Sequence, residues 1–98
     1  MYVEKENDIR DFIISVFGNT ETLDIKLHSD HLETILFITI GNQYEAPQVT
    51  FANLLKLSEY FGTTVIDVDD YANSGCETCD YGSDYGHDIT IKNPTRGI

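Results

Sequence analysis

The chain has 98 residues, 41% of them hydrophobic, which is enough for one domain with a modest core and argues against disorder. Seventeen Asp and Glu oppose six Lys and Arg, and the net charge of −11 at pH 7 argues against direct binding to DNA or RNA. The sequence contains no apolar run of about 18 residues. It also starts without the basic and apolar regions of a signal peptide, so we expect a cytosolic protein.

The first half of the chain predicts a helix followed by an antiparallel hairpin. Four apolar side chains have the spacing of an amphipathic helix, namely Ile9, Phe12, Ile13 and Val16. Gly18 is a typical residue for the end of that helix. Residues 22–28 (TLDIKLH) alternate apolar and polar side chains, as a half-buried strand does. After a turn at residues 29–31, residues 32–40 (LETILFITI) predict a second strand. It is apolar on both faces from Ile35 to Phe37 and is therefore either central in the sheet and covered, or part of a partner contact.

The second half predicts another helix and another pair of strands. The helix begins after Thr50, a suitable N-cap, continues to Phe61 and ends at Gly62. Residues 63–69 are rich in β-branched side chains and predict a third strand, and residues 88–92 predict a fourth. The loop between these strands is much longer than the usual hairpin loop of about two to five residues, so it requires a functional or structural explanation.

Together these elements predict an α+β fold of order α-β-β-α-β-β. Two amphipathic helices and a four-stranded, mainly antiparallel sheet can bury their apolar faces against each other as a two-layer sandwich. We expect one domain over residues 1–98, with a frayed tail at residues 92–98. Neither the strand order nor the oligomeric state follows from these patterns.

The long loop contains both cysteines of the chain, in a Cys-x-x-Cys pair. Cys76 and Cys79 have the spacing at which two thiolates bind one zinc ion. A tetrahedral site needs two further ligands, and His28 and His31, on either side of the first hairpin turn, could supply them if both loops lie at one end of the sheet. His87 is an alternative ligand. A solvated turn with reduced cysteines accounts for the same residues, because a second Cys-x-x-Cys pair is absent from the sequence.

A short repeat, Asp-Tyr-Gly, follows the cysteines. Asp80 with Tyr81 and Asp84 with Tyr85 place a tyrosine beside a carboxylate twice. Tyrosine offers rigid amphipathic contact area and carboxylates pair with Arg or Lys, so the repeat predicts a protein-binding surface. The alternative is a solvated turn whose tyrosines lie back on the sheet.

Negative charge is concentrated in the last third of the chain. Eight Asp or Glu and no Lys or Arg occur between Lys56 and Lys92. In the third strand, apolar residues alternate with Asp67 and Asp69, which places both carboxylates on one face; Asp70 follows directly. Such a concentrated field favours a basic partner.

The stretch SGCETCDYGSDYGHDITI resembles a C-terminal segment of small acidic bacteriophage proteins, with Cys76, Cys79, Tyr81 and Gly82 as the matching residues. The resemblance implies action in the cytosol of a bacterial host. Small acidic viral proteins of this kind resemble nucleic-acid mimics and inhibitors of host defence, such as anti-CRISPR proteins.

The sequence therefore predicts a non-enzymatic inhibitor that binds a basic, nucleic-acid-binding surface of a bacterial protein. Phosphate-binding loops and the GxSxG and HExxH motifs are absent from it. The predicted contact residues are the carboxylates and tyrosines of the last third: Asp67, Asp69, Asp70, Asp80, Tyr81, Asp84 and Tyr85. The alternative is a structural or assembly module in which zinc, the one cofactor that the sequence suggests, is bound by Cys76 and Cys79.

Overall fold

The computed structural model describes residues 6–43, 45–73 and 84–98. The elements are helix α1 (Glu6–Phe17), strands β1 (Thr22–Ser29) and β2 (Thr34–Asn42), helix α2 (Phe51–Phe61), and strands β3 (Ile66–Asn73) and β4 (Asp84–Lys92). The predicted α+β class and the predicted order α-β-β-α-β-β are confirmed. None of the helices in these residues is long and apolar enough to cross a membrane.

The four strands form one antiparallel sheet in the order β1-β2-β4-β3. β2 lies inside the sheet, between β1 and β4, but the helices cover only one of its two apolar faces. Ile38 on one face is fully buried, whereas Phe37 on the other face remains 41% exposed. The two strands at the edges of the sheet are β1 and β3.

Both helices pack on the same side of the sheet. The core joins apolar residues of α1 and α2 to alternate residues of the strands: Ile9, Ile13, Ile25, Leu36, Ile38, Ile40, Leu57, Phe61, Ile89 and Ile91. Because side chains alternate between faces along a strand, the intervening residues point to the other side, which no described helix covers. We call that side the open face, and it consists of Thr22, Asp24, Lys26, His28, Ile35, Phe37, Thr39, Gly41, Asp67, Asp69, Tyr71, Asp84, Gly86, Asp88, Thr90 and Lys92.

Helix α2 begins and ends where the sequence predicts. The Thr50 hydroxyl accepts a hydrogen bond from the Asn53 N–H at 3.2 Å, and Asn53 Oδ1 accepts one from the Thr50 N–H at 2.9 Å, which forms a capping box. Gly62 has a left-handed φ of 64°, and its N–H donates to the Ser58 carbonyl at 2.8 Å. The predicted cap and stop are confirmed.

The two helices are joined by an aromatic cluster. Phe12 of α1 stacks on Tyr60 of α2 with ring centroids 3.9 Å apart, and Phe61 meets both rings edge-on. Offset-stacked and edge-to-face pairs add about 0.5–1.5 kcal/mol beyond the area they bury. This cluster fixes the helix layer over the buried face of the sheet.

The C-terminal tail, which the sequence predicts to be frayed, is docked on the end of α2. The backbone N–H of Thr95 donates to the Phe61 carbonyl at 2.8 Å, and Arg96 Nε donates to the Glu59 carbonyl at 2.8 Å. Ile98 packs against the core. The last carbonyls of a helix have no partner within the helix, and the tail supplies the missing donors.

β3 begins at Ile66, three residues later than the sequence predicts, but β3 and β4 both extend further towards the connection between them. Pairing continues beyond residue 69 through Asp70 opposite His87 and Ala72 opposite Tyr85. Asp84 and Tyr85, which the sequence places in the loop, therefore belong to β4. The connection between the two strands, with both cysteines, Asp80 and Tyr81, lies outside the described residues.

Candidate functional site

The strand register brings carboxylates from distant parts of the chain into one row on the open face. Asp24 of β1 is opposite Thr39 of β2, which is opposite Asp88 of β4, which is opposite Asp69 of β3. Neighbouring strands lie about 4.8 Å apart, so the row places three acidic side chains across the width of the sheet. All three are solvent-exposed.

Within this row two carboxylates directly face each other. Asp69 and Asp88 are cross-strand partners, and like charges in that position are destabilising. The hydroxyl of Thr39 donates to Asp88 Oδ1 at 2.9 Å, which orients one of the two carboxylates. The arrangement costs stability and yields a dense negative surface.

A tyrosine lies over two glycines beside this row. Tyr71 is opposite Gly86, which is opposite Gly41 on the next strand. A methyl group added at Gly86 would stand 2.7 Å from the Gly41 Cα and 2.8 Å from the Tyr71 hydroxyl oxygen, closer than side-chain carbons approach other atoms. The glycines therefore leave the space that the tyrosine side chain occupies.

The Tyr71 hydroxyl is held in its neutral form by burial and by the acidic side chains around it. Burial raises the pKa of Tyr71 to about 12, with contributions from its hydrogen bond to Asp84 and from the negative charges of Asp84, Asp88 and Asp24. The hydroxyl donates to Asp84 Oδ2 at 3.0 Å. A group with such a pKa acts as a hydrogen-bond donor throughout the physiological pH range.

Two shallow depressions lie between these side chains. One, of about 380 Å³, is bordered by Asp24, Lys26, Phe37, Asp88 and Thr90. The other, of about 330 Å³, adjoins it and is bordered by Asp24, Asp88 and Tyr71. Carboxylates near an exposed aromatic ring suit Lys and Arg, whose aliphatic stems lie on apolar surface while their charged ends reach the carboxylates.

The predicted contact residues do not all lie on one face. Asp67, Asp69 and Asp84 belong to the open face, as predicted for the first two by strand alternation. Asp70 and Tyr85 point to the helix side of the sheet, because side chains alternate along a strand and these residues directly follow Asp69 and Asp84. Asp80 and Tyr81 lie outside the described residues.

His87, the alternative zinc ligand, already uses both ring nitrogens. Nδ1 lies 2.7 Å from Asp70 Oδ1, and Nε2 lies 2.6 Å from the Pro47 carbonyl oxygen. Asp70 Oδ1 and the Pro47 carbonyl oxygen are both hydrogen-bond acceptors, and the tautomer of the ring decides which nitrogen donates. With its side chain only 12% exposed, His87 connects the sheet to the loop before α2. Metal binding by this ring would require both contacts to break.

His28 and His31 lie at the opposite end of the sheet from the strand ends that adjoin the cysteine segment. His28 is opposite Ile35, which is opposite Lys92, and Lys92 lies at the far end of β4 from Asp84. At roughly 3.3 Å per residue, that separation along β4 is about 26 Å. The expectation that both hairpin ends share one end of the sheet is therefore wrong, because the turn between β1 and β2 and the exit of β3 point in opposite directions.

The side chain of Asp30 makes the main contacts within this turn. His28 Nε2 lies 3.3 Å from Asp30 Oδ2, and Asp30 Oδ1 accepts from the backbone N–H groups of Leu32 and Glu33. These backbone hydrogen bonds, that from Glu33 first, hold the pKa of Asp30 below its usual value. In residues 6–43, 45–73 and 84–98 no three His, Cys, Asp or Glu side chains are arranged to bind a metal ion. Zinc binding by Cys76 and Cys79 stays a prediction.

Sequence reasoning did not identify the centre of the open face. Asp24, Phe37 and Tyr71 meet Asp88 only because β4 lies between β2 and β3, and the strand order is not encoded in local alternation. The available signal was the outward phase of Asp24 in β1 and of Asp88 in β4. Comparison of the chain with protein-family models, curated proteins and solved structures finds no match.

Proposed function

We propose that the protein is a non-enzymatic inhibitor that docks its open face on a basic, nucleic-acid-binding surface of a bacterial host or defence protein. The supporting observation is the composition of that face. It carries five carboxylates against two lysines, namely Asp24, Asp67, Asp69, Asp84 and Asp88 against Lys26 and Lys92. A surface of this kind attracts a basic partner and accelerates its association.

The arrangement of the charges favours binding over a role in solubility alone. Solubility is served by carboxylates spread over the exterior, whereas the facing pair Asp69 and Asp88 costs stability. Beside that pair, Phe37 is 41% exposed in the middle of the sheet. Phe37 lies between Lys26 and Thr90 on the neighbouring strands, with Asp24 and Asp88 at diagonal positions. An exposed aromatic ring near carboxylates suits Arg and Lys side chains, which interact with both.

We propose a nucleic-acid-binding surface as the target because such surfaces bind closely spaced negative charges. They present several Lys and Arg side chains to a polyanion with closely spaced charges. Carboxylates on adjacent strands, about 4.8 Å apart, offer a comparable negative array on a rigid sheet. The resemblance of residues 74–91 to small acidic bacteriophage proteins supports a bacterial partner and the bacterial cytosol as the place of action.

Two variants with equal charge changes test this proposal. The open-face variant combines Asp24→Asn, Asp67→Asn and Asp69→Asn. The control variant combines Asp11→Asn, Glu45→Gln and Glu59→Gln. These exposed positions lie on α1, in the loop before α2 and on α2, in that order. Each variant removes three negative charges. Immobilised wild type and variants are used to capture proteins from bacterial lysate at low and high salt, and captured proteins are then challenged with duplex DNA.

The proposal expects a protein that the wild type and the control variant capture at low salt and that the open-face variant does not. Duplex DNA should displace it, because both ligands use the same basic surface. Equal capture by both variants, or a captured partner that DNA does not displace, would contradict the proposal.

A further inference from the structure

Within the part of the chain that the structure describes, the outer edge of β3 carries backbone groups without a partner strand. The Lys92 N–H donates to the Val65 carbonyl at 3.0 Å, and in an antiparallel ladder the hydrogen-bonded positions alternate. Residues 67, 69 and 71 therefore bond to β4, whereas the N–H and C=O groups of residues 66, 68, 70 and 72 point away from the sheet. No element within residues 6–43, 45–73 and 84–98 pairs with them.

The other edge of the sheet is partly blocked. The Asp30 N–H donates to the Glu33 carbonyl, so the even-numbered residues of β1 bond to β2. The carbonyl of Leu23, an odd-numbered residue, therefore points outward. Arg10 of α1 donates to that carbonyl from Nη1 at 2.9 Å. A side chain from the helix layer thus occupies the edge of β1, and β3 is the more accessible edge for another strand.

An apolar groove lies beside the edge of β3 on the helix side. It has a volume of about 250 Å³ and lies between α2 and the start of β3, lined by Phe51, Leu54, Leu55, Ser58, Thr64 and Ile66. Two of the lining side chains are strongly exposed: Phe51 at 76% and Leu55 at 48%. On the opposite side of the same strand, Asp67 and Asp69 are exposed on the open face.

We infer that the edge of β3 binds an extended segment of the basic partner as a fifth, antiparallel strand. Alternate side chains of such a strand point to opposite faces. Apolar side chains of the segment would enter the groove beside α2, and Lys or Arg side chains in between would pair with Asp67 and Asp69. The proposed function supplies the basic partner, and this inference adds how that partner is held.

The charges of β3 argue against a second copy of the chain as the added strand. Two antiparallel β3 strands would bring Asp67 and Asp69 of one copy close to those of the other on the same face, and like charges across strands are destabilising. The same carboxylates attract a segment with alternating cationic residues. The edge thus discriminates between the two occupants by charge.

The test uses a synthetic acetylated and amidated peptide of alternating Lys and Val, with eight residues to match the length of β3. In the proposed antiparallel pairing, residues directly opposite each other share a face, so Val is opposite residues 66, 68 and 70, whose backbone groups point outward. The Val amides should therefore form the hydrogen bonds to β3. One control peptide is N-methylated at every Val, and a second is N-methylated at every Lys.

We expect the peptide methylated at Val to bind about tenfold more weakly than the parent, and the peptide methylated at Lys to retain its affinity. Hydrogen exchange measured by NMR should slow at the amides of residues 66, 68, 70 and 72 when the parent peptide binds. The amides of residues 67 and 69 should change little, because β4 already pairs with them.

Equal binding of all three peptides, without slower exchange at alternate β3 amides, would overturn the inference. Such a result would leave the proposed function standing if the capture experiment succeeds, because a basic surface could still dock on the carboxylate row. Conversely, peptide binding with the expected amide pattern but no DNA-displaceable partner would retain the edge site and reject the nucleic-acid-binding target.

Discussion

The hydroxyl of Tyr71 donates a hydrogen bond to Asp84 Oδ2 at 3.0 Å, from β3 to the first residue of β4. The tyrosine side chain lies over the glycine pair formed by Gly41 and Gly86, so its position depends on three strands. The hydrogen bond requires a protonated hydroxyl because the carboxylate of Asp84 can only accept. The hydrogen bond between β3 and β4 on the open face is therefore lost when the Tyr71 hydroxyl loses its proton.

Loss of the Tyr71 proton should destabilise the fold at alkaline pH. The pKa of Tyr71 is raised from the unfolded value of 10.0 to about 12, so its stabilising contribution is complete below pH 10 and is lost as the pH rises towards 12. Between these values Tyr71→Phe should lose less stability than the wild type. Urea unfolding at a series of pH values measures this, with Tyr85→Phe, on the helix side, as the control. Parallel pH profiles for wild type and Tyr71→Phe would contradict the account.

Removing one member of the facing carboxylate pair should stabilise the protein. Asp69→Asn abolishes the repulsion with Asp88 and should raise the free energy of unfolding by about 0.5 kcal/mol at low salt. The matched control is Asp67→Asn, on the same strand and face, because Asp67 is opposite the uncharged Thr90. Thermal unfolding at low and high salt provides the comparison. A destabilised Asp69→Asn, or an equal gain in the control at low salt, would refute the interpretation of the row.

Local sequence signals predicted the elements of the fold, whereas the candidate site depends on contacts that are distant in sequence. The cap at Thr50, the stop at Gly62 and the outward phase of Asp67 and Asp69 are properties of short segments, and the structure confirms them. The meeting of Asp24 with Asp88 requires the strand order β1-β2-β4-β3, which alternation within one strand does not specify.

Two other features were outside the reach of local patterns. The extension of β3 and β4 depends on contacts across the hairpin, such as the Tyr71 side chain over Gly86 and the hydrogen bond between His87 and Asp70. The docking of the tail depends on unpaired carbonyls at the end of α2. In sequence, Asn-Pro-Thr-Arg-Gly has the composition of a loop, and its partners are more than 30 residues away.

His87 should be a structural residue. Replacement by Phe keeps an aromatic ring but removes the donor to the buried Pro47 carbonyl, which should cost about 1–3 kcal/mol of stability. His31→Phe, at an exposed position in the β1–β2 turn, should change stability by less than about 0.5 kcal/mol. Urea unfolding near neutral pH measures both variants. Equal stability of His87→Phe and wild type would contradict a stabilising role for the contact between His87 and the Pro47 carbonyl.

The histidines of the first hairpin should have no role in metal binding. His28 and His31 lie at the end of the sheet opposite Asn73 and Asp84, so the double variant His28→Ala and His31→Ala should leave the zinc content unchanged. Elemental analysis of purified wild type and variant measures zinc per chain, and a Cys76→Ser, Cys79→Ser variant serves as the comparison. Loss of zinc on replacement of the two histidines would show that they are ligands and would contradict the prediction that they lie too far from the cysteines.

The central claim is that the carboxylate row of the open face binds a basic protein surface. Its most direct test is the dissociation constant, determined by titration calorimetry at several salt concentrations, of a captured bacterial partner for the wild type and the two triple variants. The account expects the open-face variant to bind at least about tenfold more weakly with a flatter salt dependence, and the control variant to stay within about twofold of the wild type. If both variants weaken binding equally, or neither does, the open face is not the docking surface.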